Sequence, residues 1–167
     1  MSGLLRNLIT LLAALLHRRN SHPGGPTVAS FRVTPFDVGV LTLKSDKYLQ
    51  LVESAQLDFV VKTGIAGSMV TGGLRFVNGS MLMRFAKPIR LWDPVQVHSE
   101  VEGADVRWAW FRHDLRVRGE LCAQVWVKMK FKRGRLTIAP ADILGELPPP
   151  PLLAPGWDAA LEQAAAP

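Results

Sequence analysis

Residues 31–64 read FRVTPFDVGVLTLKSDKYLQLVESAQLDFVVKTG, and this stretch decides the fold. Its second half predicts a long helix, because Ser45 is a good N-cap, Asp46 adds negative charge to the first turn and Gly64 is a natural stop. Apolar residues recur along it at three- and four-residue spacing, with others on the remaining sides: Tyr48, Leu51, Val52, Ala55 and Phe59, then Leu49, Leu57, Val60 and Val61. A helix that is apolar on most sides is typical of one surrounded by a sheet.

The rest of the chain up to about Gly134 reads as strands. Residues 27–36 predict a first strand. Residues 121–131 place an apolar side chain at every second position, and residues 95–102 alternate in a similar way. Turn signals separate the strands at Gly72-Gly73, Asn78-Gly79, Asp93-Pro94, Gly103-Ala104-Asp105 and Arg118-Gly119. The predicted order is one strand, one helix and four or five antiparallel strands. One buried helix wrapped by a curved antiparallel sheet satisfies that order without long crossovers.

Composition limits the function classes. The chain has 167 residues, which fits one domain with short extensions, and its single cysteine, Cys122, excludes an intrachain disulfide. The four histidines lack the paired spacing of a zinc site, so no metal is predicted. The net charge of +6 attracts polyanions in general, including nucleic acid, anionic lipid and phosphorylated ligands such as coenzyme A. Charge alone does not choose between them, and we predict no nucleic-acid partner.

The N-terminal segment is rich in leucine. As a helix, residues 4–16 would span about 20 Å, which is short of the roughly 30 Å hydrocarbon core of a membrane. The basic run His17-Arg18-Arg19 follows directly, where a signal peptide would need small residues. Two readings stay open: a helix packed on the body or on a partner subunit, or a peripheral membrane contact. The predicted divisions are an N-terminal helix and linker (1–28), the main domain (29–147) and a proline-rich tail (148–167).

The segment from Phe31-Arg32-Val33 through Asp37 to Tyr48-Leu49 and Glu53 resembles the hotdog-fold acyl-CoA thioesterase superfamily. The likeness is to its 4-hydroxybenzoyl-CoA thioesterase-like branch, and especially to members with a leucine-rich N-terminal helix. Further along, Pro88-Ile89-Arg90-Leu91 and Gly119-Glu120-Leu121-Cys122-Ala123 resemble two strands of that family. The resemblance implies an α+β hotdog fold, in which a long central helix is wrapped by a curved antiparallel sheet of five to six strands.

The resemblance also implies a function. It implies a cytoplasmic thioesterase acting on a fatty or aromatic acyl-CoA, without a cofactor other than the coenzyme A of the substrate. It further implies a homodimer or a dimer of dimers that pairs its sheets edge to edge. Counting from Arg32, the family's second aspartate, usually the catalytic one, falls on Gly39. With one residue inserted, counting back from Tyr48, Asp37 takes that place. A non-catalytic hotdog module that binds acyl-CoA or a related ligand is therefore the alternative.

The candidate catalytic residues are Asp37 and Glu53. Thioester hydrolysis requires a carboxylate that activates water or attacks the carbonyl, and donors for the oxyanion, which a helix N-terminus supplies. Asp37 is either that carboxylate or a turn-forming residue. Glu53 is either a structural carboxylate buried against backbone or against a partner subunit, or a second catalytic group. The candidate substrate-binding residues are Lys44, Ser45, Asp46 and Tyr48, although capping also explains Ser45 and core packing also explains Tyr48.

Two further features have competing explanations. Lys128, Lys130 and Lys132 share one strand face, which is either solvated or a patch for a ligand phosphate or nucleic acid. Trp108, Trp110 and Trp126 also lie in predicted strands. They are predicted to be core or interface residues rather than a base-stacking surface, and their size favours a subunit interface.

Overall fold

A computed structural model describes residue 22 and residues 24–165. The strands are β1 (Thr27–Arg32), β2 (Leu74–Phe85), β3 (Pro94–Ala104), β4 (Ala109–Val117), β5 (Glu120–Arg133) and β6 (Leu136–Ile138). The helices are α1 (Ser45–Lys62), α2 (Ile65–Gly72), α3 (Pro140–Leu144) and α4 (Ala154–Ala165). The strands pair in the order β1-β3-β4-β5-β2, every pairing is antiparallel, and β6 adds to β5. The predicted order of strands and central helix is confirmed.

The main core lies between α1 and the inner face of the sheet. Period-two alternation places every second residue of β3 and β5 on that face, and their side chains are buried. The helix contributes its apolar residues from several sides, because the curved sheet surrounds it. The fully or almost fully buried members include Leu51, Val52, Leu74, Ile89, Val95, Val97, Leu115, Val125 and Val127.

The central helix differs from its prediction at both ends. Its N-cap is Lys44 rather than Ser45, and the Lys44 side chain makes no capping hydrogen bond. The expectation that Ser45 caps the helix is therefore wrong, since Ser45 is already helical. The helix ends at Lys62, and Gly64 follows in the left-handed conformation with φ of 79°. That conformation is strained for side-chain-bearing residues, so Gly64 stops the helix as predicted.

Three other predictions about secondary structure are wrong. Residues after Gly64 form the short helix α2 before the strands begin, because the left-handed turn at Gly64 starts a new helix. The first strand ends at Arg32, well before Phe36. Asn78-Gly79 lies inside β2 at a bulge rather than at a turn. A Cβ atom at Gly79 would lie 2.5 Å from the Trp108 ring, so glycine is required there for close packing.

The C-terminal tail packs on the outer face of the sheet. The Pro148 carbonyl accepts a hydrogen bond from the Ala104 amide at 2.9 Å. Helix α4 then packs on Trp110, forming a second small core with Ala154, Trp157, Trp108, Trp126 and Leu153. Trp110 is therefore buried within its own chain, and the expectation of a subunit interface is wrong for this residue. Lys128 is half-buried against the same cluster and pairs with Asp158 at 2.7 Å, so it is not a solvated lysine.

The predicted helix at residues 4–16 lies outside the described residues. Within residues 24–165, no helix is both long and apolar enough to cross a membrane.

Candidate active site

The loop between β1 and α1 carries Asp37 to the beginning of the central helix. The Asp37 amide donates to the Thr34 carbonyl at 2.9 Å, and the Asp37 carbonyl accepts from the Lys44 amide at 3.0 Å. Lys44 is the N-cap of α1, so one hydrogen bond joins Asp37 directly to the helix N-terminus. The backbone therefore places Asp37, the residue that carries the predicted carboxylate, beside the helix end that carries the predicted oxyanion donors.

The Asp37 side chain is fully buried. Its Oδ2 accepts hydrogen bonds from the Thr34 amide at 3.0 Å and from the Thr34 hydroxyl at 2.7 Å. These bonds close a local turn, as expected for an aspartate that organises a loop. Asp37 therefore has the turn-forming role that the sequence left open, and its role as catalytic base stays a prediction.

The first turn of α1 offers backbone donors. Lys44, the N-cap residue, makes no side-chain capping bond, and its own amide is used by the Asp37 carbonyl. The side chains of Lys44, Ser45 and Asp46 are exposed. Unpaired N–H groups at a helix N-terminus carry partial positive charge, which favours an anionic oxygen. This turn can stabilise a developing oxyanion.

Tyr48 lies one turn into the helix and is buried. Its hydroxyl accepts a hydrogen bond from the Ile89 amide at 3.4 Å, and its ring meets Phe85 edge-on with centroids 5.0 Å apart. Burial raises the pKa of the Tyr48 hydroxyl. These contacts are those of a packed aromatic with a satisfied hydroxyl, and substrate binding by Tyr48 stays a prediction.

Glu53 does not lie in the core. Its side chain is exposed, so the expectation of a carboxylate buried within its own chain is wrong, while burial against a partner subunit stays a prediction. The physical reason is the position of Glu53 around the helix axis, since its side chain lies on a side of α1 that the sheet does not cover. It also lies eight residues beyond Ser45, a rise of about 12 Å along the helix. The structure does not bring Glu53 to the helix N-terminus, and its catalytic role stays a prediction.

The buried carboxylate on α1 is instead Asp58. It pairs with Lys62, one turn later, at 2.7 Å. Burial raises the pKa of Asp58, and the bond and charge of Lys62 oppose that shift. This pair lies near the C-terminal end of the helix and away from the candidate site.

A buried row of hydrogen-bonded polar side chains crosses the core, and the sequence did not predict it. The Ser99 hydroxyl lies 2.8 Å from Nδ1 of His113, and the Gln56 side-chain nitrogen lies 3.5 Å from Nε2 of the same ring. His113 is fully buried, and desolvation lowers its pKa to about 3, so the imidazole is neutral. The alternation of β4 carries the signal, since His113 falls between Phe111 and Leu115 on the inward face.

A small cavity of about 10 Å³ adjoins this row between α1 and the sheet. Its remaining lining is apolar and includes Phe59, Phe76 and Phe131. A cavity of this volume is near the lower limit for one water molecule and is too small for a ligand. The three polar side chains therefore belong to a packed core.

Gly39 occupies an open position in the same loop as Asp37. A Cβ atom added at Gly39 would meet no atom within 4 Å. The loop therefore has room for a side chain where the family resemblance places its second aspartate. Among the described residues, no group of three or more histidine, cysteine or acidic side chains could hold a metal ion.

Comparison with known proteins identifies the fold. No family model and no curated protein matches the sequence. Among solved structures, a DHNA-CoA thioesterase from Staphylococcus aureus matches at 15% identity and a TM-score of 0.62, over 83% of this chain and 90% of that one. YbaW, a probable thioesterase from Escherichia coli, matches at 15% identity and a TM-score of 0.62, over 83% of this chain and 98% of that one. A hypothetical thioesterase from Streptococcus pneumoniae with coenzyme A matches at 11% identity and a TM-score of 0.56, over 75% of this chain and 97% of that one.

These neighbours are hotdog proteins of the thioesterase superfamily, and the chain has their fold. The expected α+β hotdog architecture, with a long helix and a six-stranded antiparallel sheet, is thereby confirmed. At such identities the likeness establishes the fold, and function has to be argued from the site.

Proposed function

We propose that this chain is an acyl-CoA thioesterase of the hotdog class that works at the N-terminus of α1. The observation that carries the proposal is the hydrogen bond between the Asp37 carbonyl and the Lys44 amide, which holds a carboxylate residue beside an uncapped helix N-terminus. That juxtaposition supplies the two elements that thioester hydrolysis needs, a carboxylate and oxyanion donors. The superfamily fold supports the same assignment.

In this mechanism the thioester carbonyl oxygen lies at the first turn of α1. The Ser45 and Asp46 amides donate to that oxygen as negative charge develops on it, and the helix dipole adds to the stabilisation. Asp37 accepts a proton from the attacking water, which adds to the carbonyl carbon. The tetrahedral intermediate then collapses and the carbon–sulfur bond breaks. Asp37 returns its proton to the departing thiolate, so that coenzyme A and a carboxylic acid are released. The exposed Lys44 lies at the mouth of the site, where it can meet a phosphate of the coenzyme.

The substrate class within this proposal is a fatty or aromatic acyl-CoA. The S. pneumoniae neighbour with coenzyme A supports binding of this carrier by the fold. The 4-hydroxybenzoyl-CoA-like branch and a cytoplasmic location stay parts of the proposal.

An acyl-CoA panel with free-thiol detection tests the mechanism. Wild-type protein should release coenzyme A from at least one fatty or aromatic thioester, and Asp37→Asn should lower that rate by about 100-fold or more. Glu53→Gln is the matched control, because Glu53 is an exposed carboxylate about 12 Å along the helix. Equal rates for wild type and Asp37→Asn would refute the role of Asp37, and a selective loss in Glu53→Gln would assign the carboxylate to that residue.

A second candidate function is a non-catalytic module that binds acyl-CoA. The observation that favours it is the engagement of Asp37 by Thr34, together with Gly39 at the family's second aspartate position. In that case wild-type protein binds acyl-CoA in a fluorescence titration without hydrolysing it. Gly39→Asp should then create hydrolysis, because the open space at Gly39 accepts a side chain. Gly39→Asn provides the control of equal size without a carboxylate.

We also propose that two chains pair along β2. That strand bonds to β5 on one side, and no described strand covers its other edge. It exposes Val77, Leu82 and Phe85, and an uncovered apolar edge is a template for pairing. Leu82→Glu should shift a dimer to monomer in sedimentation velocity, whereas Leu136→Glu, an exposed leucine on β6, should not. A wild-type monomer would contradict this part of the proposal.

The dimer of dimers stays a prediction. Helix α4 already occupies the part of the outer sheet face around Trp110, so a second dimer would have to use another surface.

A further inference from the structure

Four large apolar side chains are exposed at the end of the sheet where β1 leads toward α1. Phe36 is 73% exposed, Val40 92%, Leu41 63% and Trp92 55%. We call these four residues the apolar tip. Large apolar side chains that are solvent-exposed together mark a surface that contacts a partner.

Backbone hydrogen bonds connect the turns that carry the apolar tip. Val40 and Leu41 form the apex of a turn closed by the Gly39 amide on the Thr42 carbonyl at 3.0 Å. The Leu41 carbonyl accepts from the Leu91 amide at 3.0 Å, and the neighbouring Trp92 amide donates to the Val33 carbonyl at 3.1 Å. The tip is therefore built from fixed turns at one end of the molecule.

The backbone at Trp92 is strained. Its φ is +68°, a left-handed conformation that disfavours bulky side chains. The Trp92 carbonyl accepts from the Arg32 guanidinium at 3.2 Å, so both sides of the residue are held. Strain of this kind in an exposed aromatic residue indicates that the position of the side chain has a use.

Cations surround the tip. Arg32, Lys44 and Arg90 are exposed, and none of them forms an ion pair with an acidic residue in the part of the chain that the structure describes. Of the acidic residues beside them, Asp46 pairs with Lys47, and Asp93 accepts from the Arg90 amide and lies 4.0 Å from Arg118. The three cations therefore leave an excess of positive charge, which attracts anions.

We propose that the apolar tip inserts into an anionic lipid surface, with Arg32, Lys44 and Arg90 at the headgroup level. Protruding aromatic and aliphatic side chains beside unpaired cations are the combination that interfacial binding requires. A second copy of the chain fits less well, since two such surfaces would place like charges together. Binding of coenzyme A phosphates alone would use the cations and leave four apolar side chains in water.

The inference does not depend on catalysis, because vesicle binding can be measured in an inactive protein. It adds a location to the candidate site. Asp37 follows Phe36 directly, and Lys44 is the N-cap residue of α1, so the site would lie at the lipid surface from which an acyl ligand could enter. It is also separate from the contact predicted for residues 4–16.

The first test is co-sedimentation of the full chain with vesicles of about three parts phosphatidylcholine to one part phosphatidylserine. The variant Val40→Ser with Leu41→Ser should bind about tenfold more weakly than wild type. The matched control is Val106→Ser with Leu136→Ser, which removes the same two residue types at 80% and 70% exposure from the opposite end of the sheet. Residues 4–16 are identical in both variants. Equal binding by the two double variants would overturn the proposal.

The second test locates Trp92 directly. Brominated phospholipid in the same vesicles should quench part of the tryptophan fluorescence of wild type, and Trp92→Phe should lose most of that quenching. The buried Trp110 and Trp157 should contribute little. Quenching that is unchanged in Trp92→Phe would mean that the tip stays outside the lipid, and would refute insertion.

Two measurements distinguish an anionic lipid surface from the other possible partners of the apolar tip. Arg90→Gln should weaken binding to anionic vesicles more than Arg135→Gln does, and vesicles of phosphatidylcholine alone should bind wild type at least about tenfold more weakly. Equal binding to both vesicle types would contradict the role of the cations. In sedimentation velocity without lipid, the tip variant should keep the wild-type mass. A change of mass would identify the tip as a subunit interface and overturn the proposal.

Discussion

Thr34 binds the Asp37 carboxylate twice, through its amide at 3.0 Å and through its hydroxyl at 2.7 Å, both to the same oxygen Oδ2. This pair fixes the loop that places Asp37 next to the Lys44 amide and the first turn of α1. The same contact therefore stabilises the fold and orients the candidate catalytic residue, so changes at Thr34 should affect stability and activity together.

Replacing Thr34 with valine should lower the free energy of unfolding by about 1–3 kcal/mol, because the buried Asp37 oxygen loses its hydroxyl donor. The backbone donor stays in place. Thr34→Ser retains the hydroxyl and should lie closer to wild type. Urea denaturation of the three proteins measures the difference. If the valine and serine variants were equally stable, the hydroxyl bond would contribute nothing.

The neutral buried His113 should make stability depend on pH. Its folded-state pKa of about 3 lies below the ordinary value of 6.5, so the unfolded chain binds more protons between these values. Its contribution to stability is therefore full above pH 6.5 and is lost as the pH falls toward 3. The slope approaches about 1.4 kcal/mol per pH unit for one proton.

Urea denaturation between pH 7 and pH 4 measures this slope, with His113→Gln as the variant that removes the titrating group. The variant should be less stable at pH 7 and less dependent on pH than wild type. In the folded wild type, carbon-13 spectra of the histidines should show one imidazole that does not titrate between pH 7 and pH 5. Titration of all histidines near 6.5 would contradict the burial of His113.

Gly103 should not tolerate a side chain. A Cβ atom there would lie 2.1 Å from the Pro149 carbonyl oxygen, which is backbone and cannot move independently. Gly103→Ala should therefore destabilise by about 1–3 kcal/mol and displace the tail from the sheet. Gly67→Ala is the control, since a Cβ atom at Gly67 in α2 meets nothing within 4 Å. Thermal or urea denaturation compares them, and equal effects would show that the tail does not rest on Gly103.

Trp157 should be the residue that fixes α4 on the outer face. It is 7% exposed and packs with Trp110 and Ala154. Trp157→Ala should cost about 3–5 kcal/mol if the helix unfolds with the domain. It should also speed hydrogen exchange in residues 154–165. Leu161→Ala, on the more exposed side of α4, should have an effect below about 0.5 kcal/mol. Similar exchange in both variants would contradict the anchoring role.

Much of the fold was predictable from local pattern. The three- and four-residue spacing from Tyr48 to Phe59 predicted α1, and the alternation of residues 121–131 predicted β5. Prediction from local residue type was wrong at positions where tertiary packing determines the conformation. Asn78-Gly79 has the composition of a turn, but the Trp108 ring covers Gly79 and the strand continues through a bulge. Ser45 has the side chain of a typical N-cap residue, but the preceding loop places Lys44 at the N-cap and Ser45 inside the helix.

The candidate site divides in the same way. Sequence proximity alone placed Asp37, Lys44 and Ser45 near one helix N-terminus, because a single short loop joins them. The chain Ser99–His113–Gln56 comes from two strands and a helix, and only the tertiary structure brings those side chains together. The exposed side chain of Glu53 likewise depends on which faces of α1 the curved sheet covers. The sequence by itself determined the central helix, most of each strand and their order along the chain, since periodicity is local. Which polar groups are buried, and with what partners, was decided by contacts between residues distant in the chain.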